Sequence, residues 1–376
     1  MSPEILTLYY NHSILDIIIT TIIFFFSILL TVYTRSALEL NKLNTLLIFS
    51  IHTLMFPVYM VYLLKYGTDS LTYFVYFDEY NFTNVEPGRI FLNKLIIFFD
   101  FFKLNFYNIN YLISTLSLFS FFLYLKIIEN LKIKDKFTFY MVLSFFCLPS
   151  IHFWHMGYSK DTLTFFCISI IVYEVMKFKP NLFIITLSVL LLYFVRAHIS
   201  LMIFTALIIF YVINNQSKFL KFLSIILFLF ISPILLKTIF NFTDFNSILR
   251  FLDMFQDLYT ENYATALYSD VNIFLKSLYY IFLPNIFFLK DMNLFFLLVA
   301  FENTLLVILF LKVITFKILS LKNLKSYSFL ILFSLIALFL LSYVTSNLGI
   351  AARQKWIFLP VIFIMFSGVK YNYSYK

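Results

Sequence analysis

The chain is poor in charged residues. Only 12% of its residues are charged, whereas 62% are hydrophobic; soluble proteins carry about 25% charged residues. This shortage excludes an ordinary soluble domain. It also removes the nucleic-acid interpretation of the net charge of +9, because no nucleic-acid-binding motif accompanies that charge. The composition therefore predicts a protein embedded in a membrane.

Cysteine and glycine are also scarce, with two and five residues in the whole chain. Cys147 and Cys167 lie in apolar segments without histidine or cysteine at metal-ligand spacing, so we expect neither a disulfide nor a metal site. Transporters use glycine to break helices and to let helices cross closely, and five glycines provide few such positions. No P-loop, zinc-protease or hydrolase-elbow motif is present, so no cofactor is expected.

Apolar runs follow one another along the whole chain. Runs of roughly 17–22 residues cross about 30 Å of hydrocarbon as helices, so the sequence predicts an all-α polytopic membrane protein. The first run lacks a basic flank and a cleavage site, and we expect it to be retained. We predict one transmembrane domain over residues 1–376, with about eleven helices and short re-entrant or amphipathic segments. The spans are Ile14–Val32, Leu43–Leu64, Tyr107–Leu125, Phe137–Pro149, Thr162–Met176, Leu182–Val195, Ile199–Ile213, Phe219–Phe240, Leu294–Leu311, Tyr327–Val344 and Trp356–Gly368.

Lysine and arginine are concentrated in alternate loops. One set of loops, which includes residues 126–136 and 312–325, contains many basic residues and few acidic ones. By the positive-inside rule this set is cytoplasmic, so the N-terminus is outside and the C-terminus inside. The long polar loops, about 65–106 and 241–293, and the other polar motifs then lie on the outer face. We therefore expect the activity to be at that face.

The polar stretch Pro149–Asp161 stands between two apolar segments. Its charged and polar side chains are too costly to desolvate at mid-membrane, so we expect it at an interface or lining a polar cavity. The side chains that suit a sugar are Trp154, His155, Lys160 and Asp161. The structural alternative is that Ser159 caps a helix and Asp161 complements the helix dipole. The two interpretations are compatible.

Two arginine-containing motifs lie on the same predicted side. Arg196-Ala197-His198 separates two spans with almost no loop, and an arginine fork beside a histidine suits a phosphate or pyrophosphate. The segment 346–355 contains Asn347, Arg353, Gln354 and Lys355. Two arginines and a lysine on one face would favour an anion site. The alternative is that these cations only anchor helix ends at the interface.

Acidic residues supply the remaining candidates. Asp78 and Glu79 precede Arg89 in the first long outer loop, where they could bind a cation or act as a base; a solvated acidic loop is the alternative. Glu302 lies inside the ninth predicted span. An intramembrane carboxylate is a functional candidate, although pairing with a neighbouring helix explains it equally well.

The order of these motifs resembles the Wzy-type polysaccharide polymerases, the oligosaccharide repeat unit polymerases of O-antigen and capsule clusters. The resemblance covers about Phe153–Pro360. It consists of Phe-Trp-x-x-Gly-x-x-Lys-Asp, an Arg-x-His turn, Phe-Glu-Asn opening a late span, and Asn-x-Gly-x-x-x-Arg-Gln before a proline-containing span. Two departures are Arg196-Ala197-His198 in place of Arg-Pro-His, and Leu283-Pro284 in place of Arg-Pro.

The resemblance implies a GT-C-like enzyme of the bacterial inner membrane, active at the periplasmic face. It would transfer a growing glycan from a polyprenyl-diphosphate carrier to the next lipid-linked unit. Membrane lipids and a chain-length regulator are the other implied partners; nucleic acid is not. In that chemistry Arg196 and Arg353 would stabilise the leaving diphosphate without a metal. The candidate bases are His198, Asp161 and Glu302, while Lys160 and Gln354 would orient substrate.

Three other functions stay open. A GT-C glycosyltransferase that uses a polyprenyl-monophosphate sugar would use Asp78 and Glu79 as its acidic signature. A flippase or other transporter of lipid-linked oligosaccharides would place polar residues at mid-depth in the bundle. An O-antigen ligase would concentrate its site in one late outer loop, for which Asn241–Asn293 qualifies.

Overall fold

A computed structural model gives the architecture of the 376-residue chain. It describes residues 14–67, 69–75, 87–131, 133, 136–214, scattered positions from 217 to 229, 271–286, 294–315, 327–345 and 348–366. Every regular element in these ranges is helical, and none of them contains a strand. The predicted all-α class is therefore confirmed for the described residues.

Several helices of the described residues correspond to predicted apolar runs, and others were not predicted. In chain order they are α1 Ile14–Ala37, α2 Lys42–Tyr66, α3 Asp69–Val75, α4 Pro87–Phe101, α5 Phe106–Asn130, α6 Lys136–Phe146, α7 Pro149–Trp154, α8 Lys160–Val175, α9 Leu182–Asn214, α10 Ile273–Phe282, α11 Leu294–Thr315, α12 Ser328–Val344, α13 Leu348–Gln354 and α14 Leu359–Phe366. Among them α1, α2, α5 and α9 are long and apolar enough to cross a membrane. The protein is thus a membrane protein by the length and composition of these helices.

The two spans expected on either side of residues 196–198 are confirmed: α9 consists of two helices that meet at a kink at Arg196, where φ is −147° and ψ is 86°. One feature differs from the predicted spans. The outer loop expected over residues 65–106 contains two helices, α3 and α4. Most of the predicted span Phe219–Phe240 lies outside the described residues.

The chain divides into two compact units. The first contains the described residues up to Asn130 together with Phe146–Ala197. The second contains Leu131–Phe145 and the described residues from His198 onward. The division falls within α9, after Ala197, and at the end of α6, and the polar motifs are divided between the two units.

Helix α5 is the centre of the first unit, with α1, α2 and α8 packed around it. In the most apolar 18 residues of α5, 83% of the residues are buried, whereas the corresponding part of α1 is only 17% buried. Because α5 is surrounded by protein, it can carry polar side chains such as Asn110 and Ser114 if they find partners. Helix α1 instead exposes a broad apolar surface, as suits contact with lipid hydrocarbon.

The second unit packs α10 against α11, α12 and α13, and α12 against α14. Aromatic rings join its helices: Phe145 stacks on Phe363 with ring centres 3.7 Å apart. Tyr280 stacks on Phe358 with ring centres 6.1 Å apart. Such ring contacts add to the energy of burial; they join α6 to α14, and α10 to the turn that follows α13.

Candidate functional site

The stretch Pro149–Asp161 is folded as a short helix, a turn and the start of a long helix. Pro149 opens α7, where a missing N–H costs nothing because it would have no helical partner. Ser159 caps α8, and its Oγ accepts a hydrogen bond from the N–H of Thr162 at 3.2 Å. The predicted cap is confirmed. Asp161 therefore lies in the first turn of α8, where the helix dipole favours a negative charge.

Asn110 on α5 holds the turn between α7 and α8. Its Oδ1 accepts hydrogen bonds from the N–H of Tyr158 and the hydroxyl of Ser70, each at 2.8 Å. Its Nδ2 donates to the carbonyl oxygen of Phe106 at 2.7 Å. The Tyr158 hydroxyl in turn donates to the carbonyl oxygen of Leu92 on α4. The stretch is thus tied to two neighbouring helices.

Gly157 is required at the centre of this turn. Its φ is +69°, a region that residues with a Cβ rarely adopt. A Cβ at this position would lie 2.6 Å from Oδ1 of Asn110 and would collide with the ring of Tyr59. Gly157 is therefore needed because the backbone of this turn packs directly against Asn110 and Tyr59.

The turn places Asp161 beside Arg196. Nη2 of Arg196 lies 2.7 Å from Oδ1 of Asp161, and both side chains are buried. The backbone of α9 is not helical at Arg196. The residue that carries the charged side chain is therefore also the one at which the helix is interrupted. A buried charge needs a partner to offset its desolvation, and Asp161 supplies one.

Gly88 brings a third element to this ion pair. A Cβ on residue 88 would lie 3.2 Å from Cε of Lys160 and would collide with the carbonyl oxygen of Val195. The first turn of α4 therefore packs directly on the backbone that precedes Arg196. Arg89 follows Gly88, and its guanidinium lies 5.9 Å from the ring centre of Tyr73.

We name Lys160, Asp161 and Arg196 the arginine cluster; Arg89 follows Gly88, the residue that packs on Lys160 and Val195. The cluster contains two basic groups and one carboxylate, drawn from α8 and α9. Nη1 of Arg196 is buried and has no hydrogen-bond partner among the described residues. The unused donor of Arg196 is what an anionic ligand such as a phosphate group requires.

His155 lies beside the cluster but is completely buried. Its ring stacks on Phe165 with centres 3.9 Å apart, and its Nδ1 lies 2.7 Å from the carbonyl oxygen of Ile151. Since a carbonyl only accepts, Nδ1 carries the hydrogen. Burial lowers the pKa of His155 to about 4, an effect that the negative charge of Asp161 partly opposes. The imidazole is therefore neutral at pH 7.

Trp154 is half-buried within a group of aromatic rings. Its ring meets those of Phe153 and Tyr62 edge to face, with centres 5.0 Å and 6.4 Å away. Part of the ring therefore supports the stretch itself. Its predicted contact with a sugar stays a prediction, as does that of His155.

The second unit has its own polar cluster around Lys355. This lysine is completely buried, and its Nζ donates to the carbonyl oxygen of Ile281 at 3.1 Å and to Oδ1 of Asn303. Nδ2 of Asn303 donates to the carbonyl oxygen of Pro284 at 2.6 Å. Burial lowers the pKa of Lys355 to about 7, and the charge of the buried Glu302 opposes that shift.

Gln354 is held next to this cluster. Its Oε1 accepts hydrogen bonds from the hydroxyls of Thr345 at 3.0 Å and Tyr280 at 3.4 Å. Arg353 precedes it at the end of α13 and is half-buried. His198, on α9, is also half-buried and belongs to the second unit.

The structure thus brings three predicted residues, Lys160, Asp161 and Arg196, into the arginine cluster. It brings Glu302, Gln354 and Lys355 into another, close to Arg353 in sequence. Arg196 and Arg353 belong to different units, so their expected convergence stays a prediction. Asp78 and Asn347 lie outside the described residues.

Several residues that build these sites were not predicted. Asn110 and Asn303 make the hydrogen bonds that organise each cluster, but an asparagine in an apolar run gives little sign of its partner. His52 carried a clearer signal, because it is a lone histidine inside the span Leu43–Leu64, and polar groups in spans are costly unless paired.

Comparisons with protein families, with curated proteins and with solved structures return no match for this chain. Its function is therefore inferred from its own residues and their geometry.

Proposed function

We propose that the protein polymerises polyprenyl-diphosphate-linked oligosaccharide repeat units at the outer face of a bacterial inner membrane. The observation that carries this proposal is the arginine cluster, in which the buried Arg196 is paired with Asp161 at 2.7 Å. Its remaining Nη1 has no hydrogen-bond partner among the described residues, so it is a donor that a ligand can use. The class of ligand that fits is a phosphate or diphosphate.

In the proposed reaction the acceptor hydroxyl oxygen bonds to the anomeric carbon of the donor glycan. The bond between that carbon and the carrier diphosphate breaks, and the diphosphate takes the bonding electrons. The hydroxyl proton passes to a base on the enzyme. Permanently charged groups at the diphosphate lower the barrier because negative charge develops there. Arg196, with Lys160 nearby, would supply them.

Asp161 has a second role in this proposal. Its carboxylate fixes the direction of the Arg196 guanidinium before substrate binds, which avoids reorganisation during the reaction. Because Asp161 is engaged in this pair, we favour His198 or Glu302 as the base. Arg353, Gln354 and Lys355 would act in the second unit, where Lys355 also holds Asn303 and the carbonyl oxygen of Ile281.

The proposal includes the finer architecture expected from the sequence: about eleven spans, a GT-C-like arrangement and an external N-terminus. The four long apolar helices and the shorter ones at Lys136–Phe146, Ile273–Phe282 and Ser328–Val344 are in keeping with it. Scanning of fusion reporters in the loops on either side of each helix would test the orientation.

The size distribution of surface polysaccharide tests the proposed reaction. A strain that lacks the gene should show single repeat units in place of a ladder, and the wild-type gene should restore the ladder. Arg196→Ala should fail to restore it while the protein is still inserted at normal level. The matched control is Arg35→Ala, since Arg35 is an exposed arginine at the end of α1. A normal ladder with Arg196→Ala would count against the proposal.

A transporter of lipid-linked oligosaccharides is the second candidate, and one observation favours it. Helix α5 carries buried polar side chains along much of its length, including Asn108, Asn110, Ser114, Ser117 and Ser120, as expected for a polar path through a bundle. Under this alternative the deletion strain would lose surface glycan entirely and accumulate lipid-linked units inside. That outcome is distinct from a single surface repeat unit.

A further inference from the structure

Two buried histidines of the first unit face each other outside the arginine cluster. Nδ1 of His52 on α2 lies 3.1 Å from Nδ1 of His152 on α7. The relative exposures of the two residues are 3% and 0%. Nothing in the proposed glycosyl transfer uses this pair, so the inference below does not rest on the proposed function.

The outer nitrogens of both rings have backbone carbonyls as partners. Nε2 of His52 lies 2.9 Å from the carbonyl oxygen of Ser114, and Nε2 of His152 lies 2.9 Å from that of Phe146. A carbonyl oxygen can only accept a hydrogen bond, so each Nε2 must carry a hydrogen. This fixes the tautomer of each ring if the ring is neutral.

The inner nitrogens then cannot both be satisfied by neutral rings. A neutral imidazole with its hydrogen on Nε2 has only a lone pair at Nδ1. Two such rings would place two lone pairs 3.1 Å apart in a buried site, which is an unsatisfied and repulsive arrangement. One hydrogen between the two Nδ1 atoms turns it into a hydrogen bond.

We propose that His52 and His152 form a proton-binding site, in which one shared proton links their Nδ1 atoms and gives the pair a single positive charge. The ligand is a proton, and its effect is to join α2 to the segment Pro149–Asp161. All four ring nitrogens are then hydrogen-bonded. Loss of the proton would leave two facing lone pairs and push α2 and α7 apart.

The groups around the two histidines favour one positive charge on the pair over two. The ring of Phe121 stacks on His152 with centres 4.1 Å apart, and an aromatic face attracts a cation. Burial and the neighbouring His52 lower the pKa of His152. Burial opposes the first charge on the pair as well, and the shared hydrogen bond and the ring of Phe121 are what offset it; a second charge would have no such compensation. His155, which is neutral at pH 7, is the other titratable group that acts on both rings. From α5, the carbonyl oxygen of Ser114 and the ring of Phe121 face the histidine pair.

Nitrogen NMR of the protein labelled with 15N-histidine tests the proposal directly. The full-length protein is measured in detergent micelles or bilayers at neutral pH, with His52→Gln and His152→Gln for assignment. We expect one strongly deshielded proton that correlates with the Nδ1 atoms of both rings, and hydrogens on both Nε2 atoms. The shared signal should vanish in each single variant.

The result that would overturn the proposal is an unprotonated Nδ1 on both rings, or an unprotonated Nε2 on either. If the variants do not fold, the wild-type spectrum alone decides, because the shared proton correlates with two nitrogens. A signal that moves on addition of Zn²⁺ and disappears with a chelator would also overturn it, since the ligand would then be a metal ion.

Thermal unfolding against pH gives a second readout. Unfolded histidines have pKa values of about 6.5, so above this pH the folded pair would hold one proton more than the unfolded chain. The contribution of the pair to stability should therefore fall as pH rises above about 6.5. Below it the unfolded chain holds two protons against one, and this contribution should fall again. It is measured as the difference in stability between the wild type and His52→Gln at each pH; a difference that does not decrease above a pH of about 6.5 would contradict the proposal.

Discussion

The guanidinium of Arg196 lies 2.7 Å from the carboxylate of Asp161, and both groups are buried. The two residues are far apart in sequence and belong to α9 and α8. Lys160 and the first turn of α4 complete the surroundings of this pair. Nη1 of Arg196 is buried and has no hydrogen-bond partner among the described residues, which fits the binding of an anion.

Removal of Asp161 should destabilise the first unit. Asp161→Asn leaves the charge of Arg196 buried without compensation, and breaking such a pair costs about 3–5 kcal/mol. Thermal unfolding of the purified protein in detergent measures the loss. Arg196→Met combined with Asp161→Leu should recover part of it, because neither charge then remains. A double variant as unstable as Asp161→Asn would refute this account of the pair.

Gly88→Ala should disturb the arginine cluster through α4. The new Cβ would collide with the carbonyl oxygen of Val195, next to Arg196, and press on Lys160. We expect polymer synthesis to fall by more than tenfold, measured as ladder intensity at equal protein level. Gly67→Ala is the comparison: a Cβ there meets nothing within 4 Å, although its φ of +72° adds strain. Equal loss in both variants would show that the Val195 contact has no special effect.

Asn110→Ala should loosen the turn that carries the polar motif. It would leave the N–H of Tyr158 and the hydroxyl of Ser70 without their acceptor, and each buried unsatisfied group costs about 1–3 kcal/mol. Hydrogen exchange at Tyr158, followed by mass spectrometry, should become faster. Exchange in α12, in the second unit, should not change; if it rises equally, the effect is global unfolding.

Lys355 should make stability depend on alkaline pH. Burial lowers its pKa to about 7 from the ordinary value of 10.5. Between these two values the unfolded chain binds a proton that the folded chain lacks, so the contribution of Lys355 to stability should increase as pH rises through this window. Lys355→Met should remove the increase. Its persistence in the variant would assign it to another group.

Much of the helical architecture follows from hydropathy alone. The apolar runs that predicted spans at Ile14–Val32 and Leu43–Leu64 correspond to α1 and α2, because a spanning chain must satisfy its backbone internally. The helices α3 and α4 were not predicted. They lie in a segment judged as a polar loop, and helices held mainly by tertiary contacts have weak local signals.

The sequence predicted several residues that belong to the sites but not which residues contact one another. The motif containing Lys160 and Asp161 and the one containing Arg196 were both identified, yet only the packing of α4, α8 and α9 shows that they meet. Lys355 was expected at a substrate contact, whereas the structure gives it protein partners on Ile281 and Asn303. Such pairing depends on tertiary packing, which hydrophobic periodicity does not encode.

Synthesis of polymer by the purified protein tests the central proposal most directly. The protein would be supplied with polyprenyl-diphosphate-linked oligosaccharide repeat units in detergent, and the products separated by size. We predict that the wild-type protein yields a ladder of multiple units and free carrier diphosphate, while Arg196→Ala yields neither. If the wild-type protein leaves every unit single but moves the lipid-linked units across a liposome membrane, the protein is a transporter and the polymerase proposal is wrong.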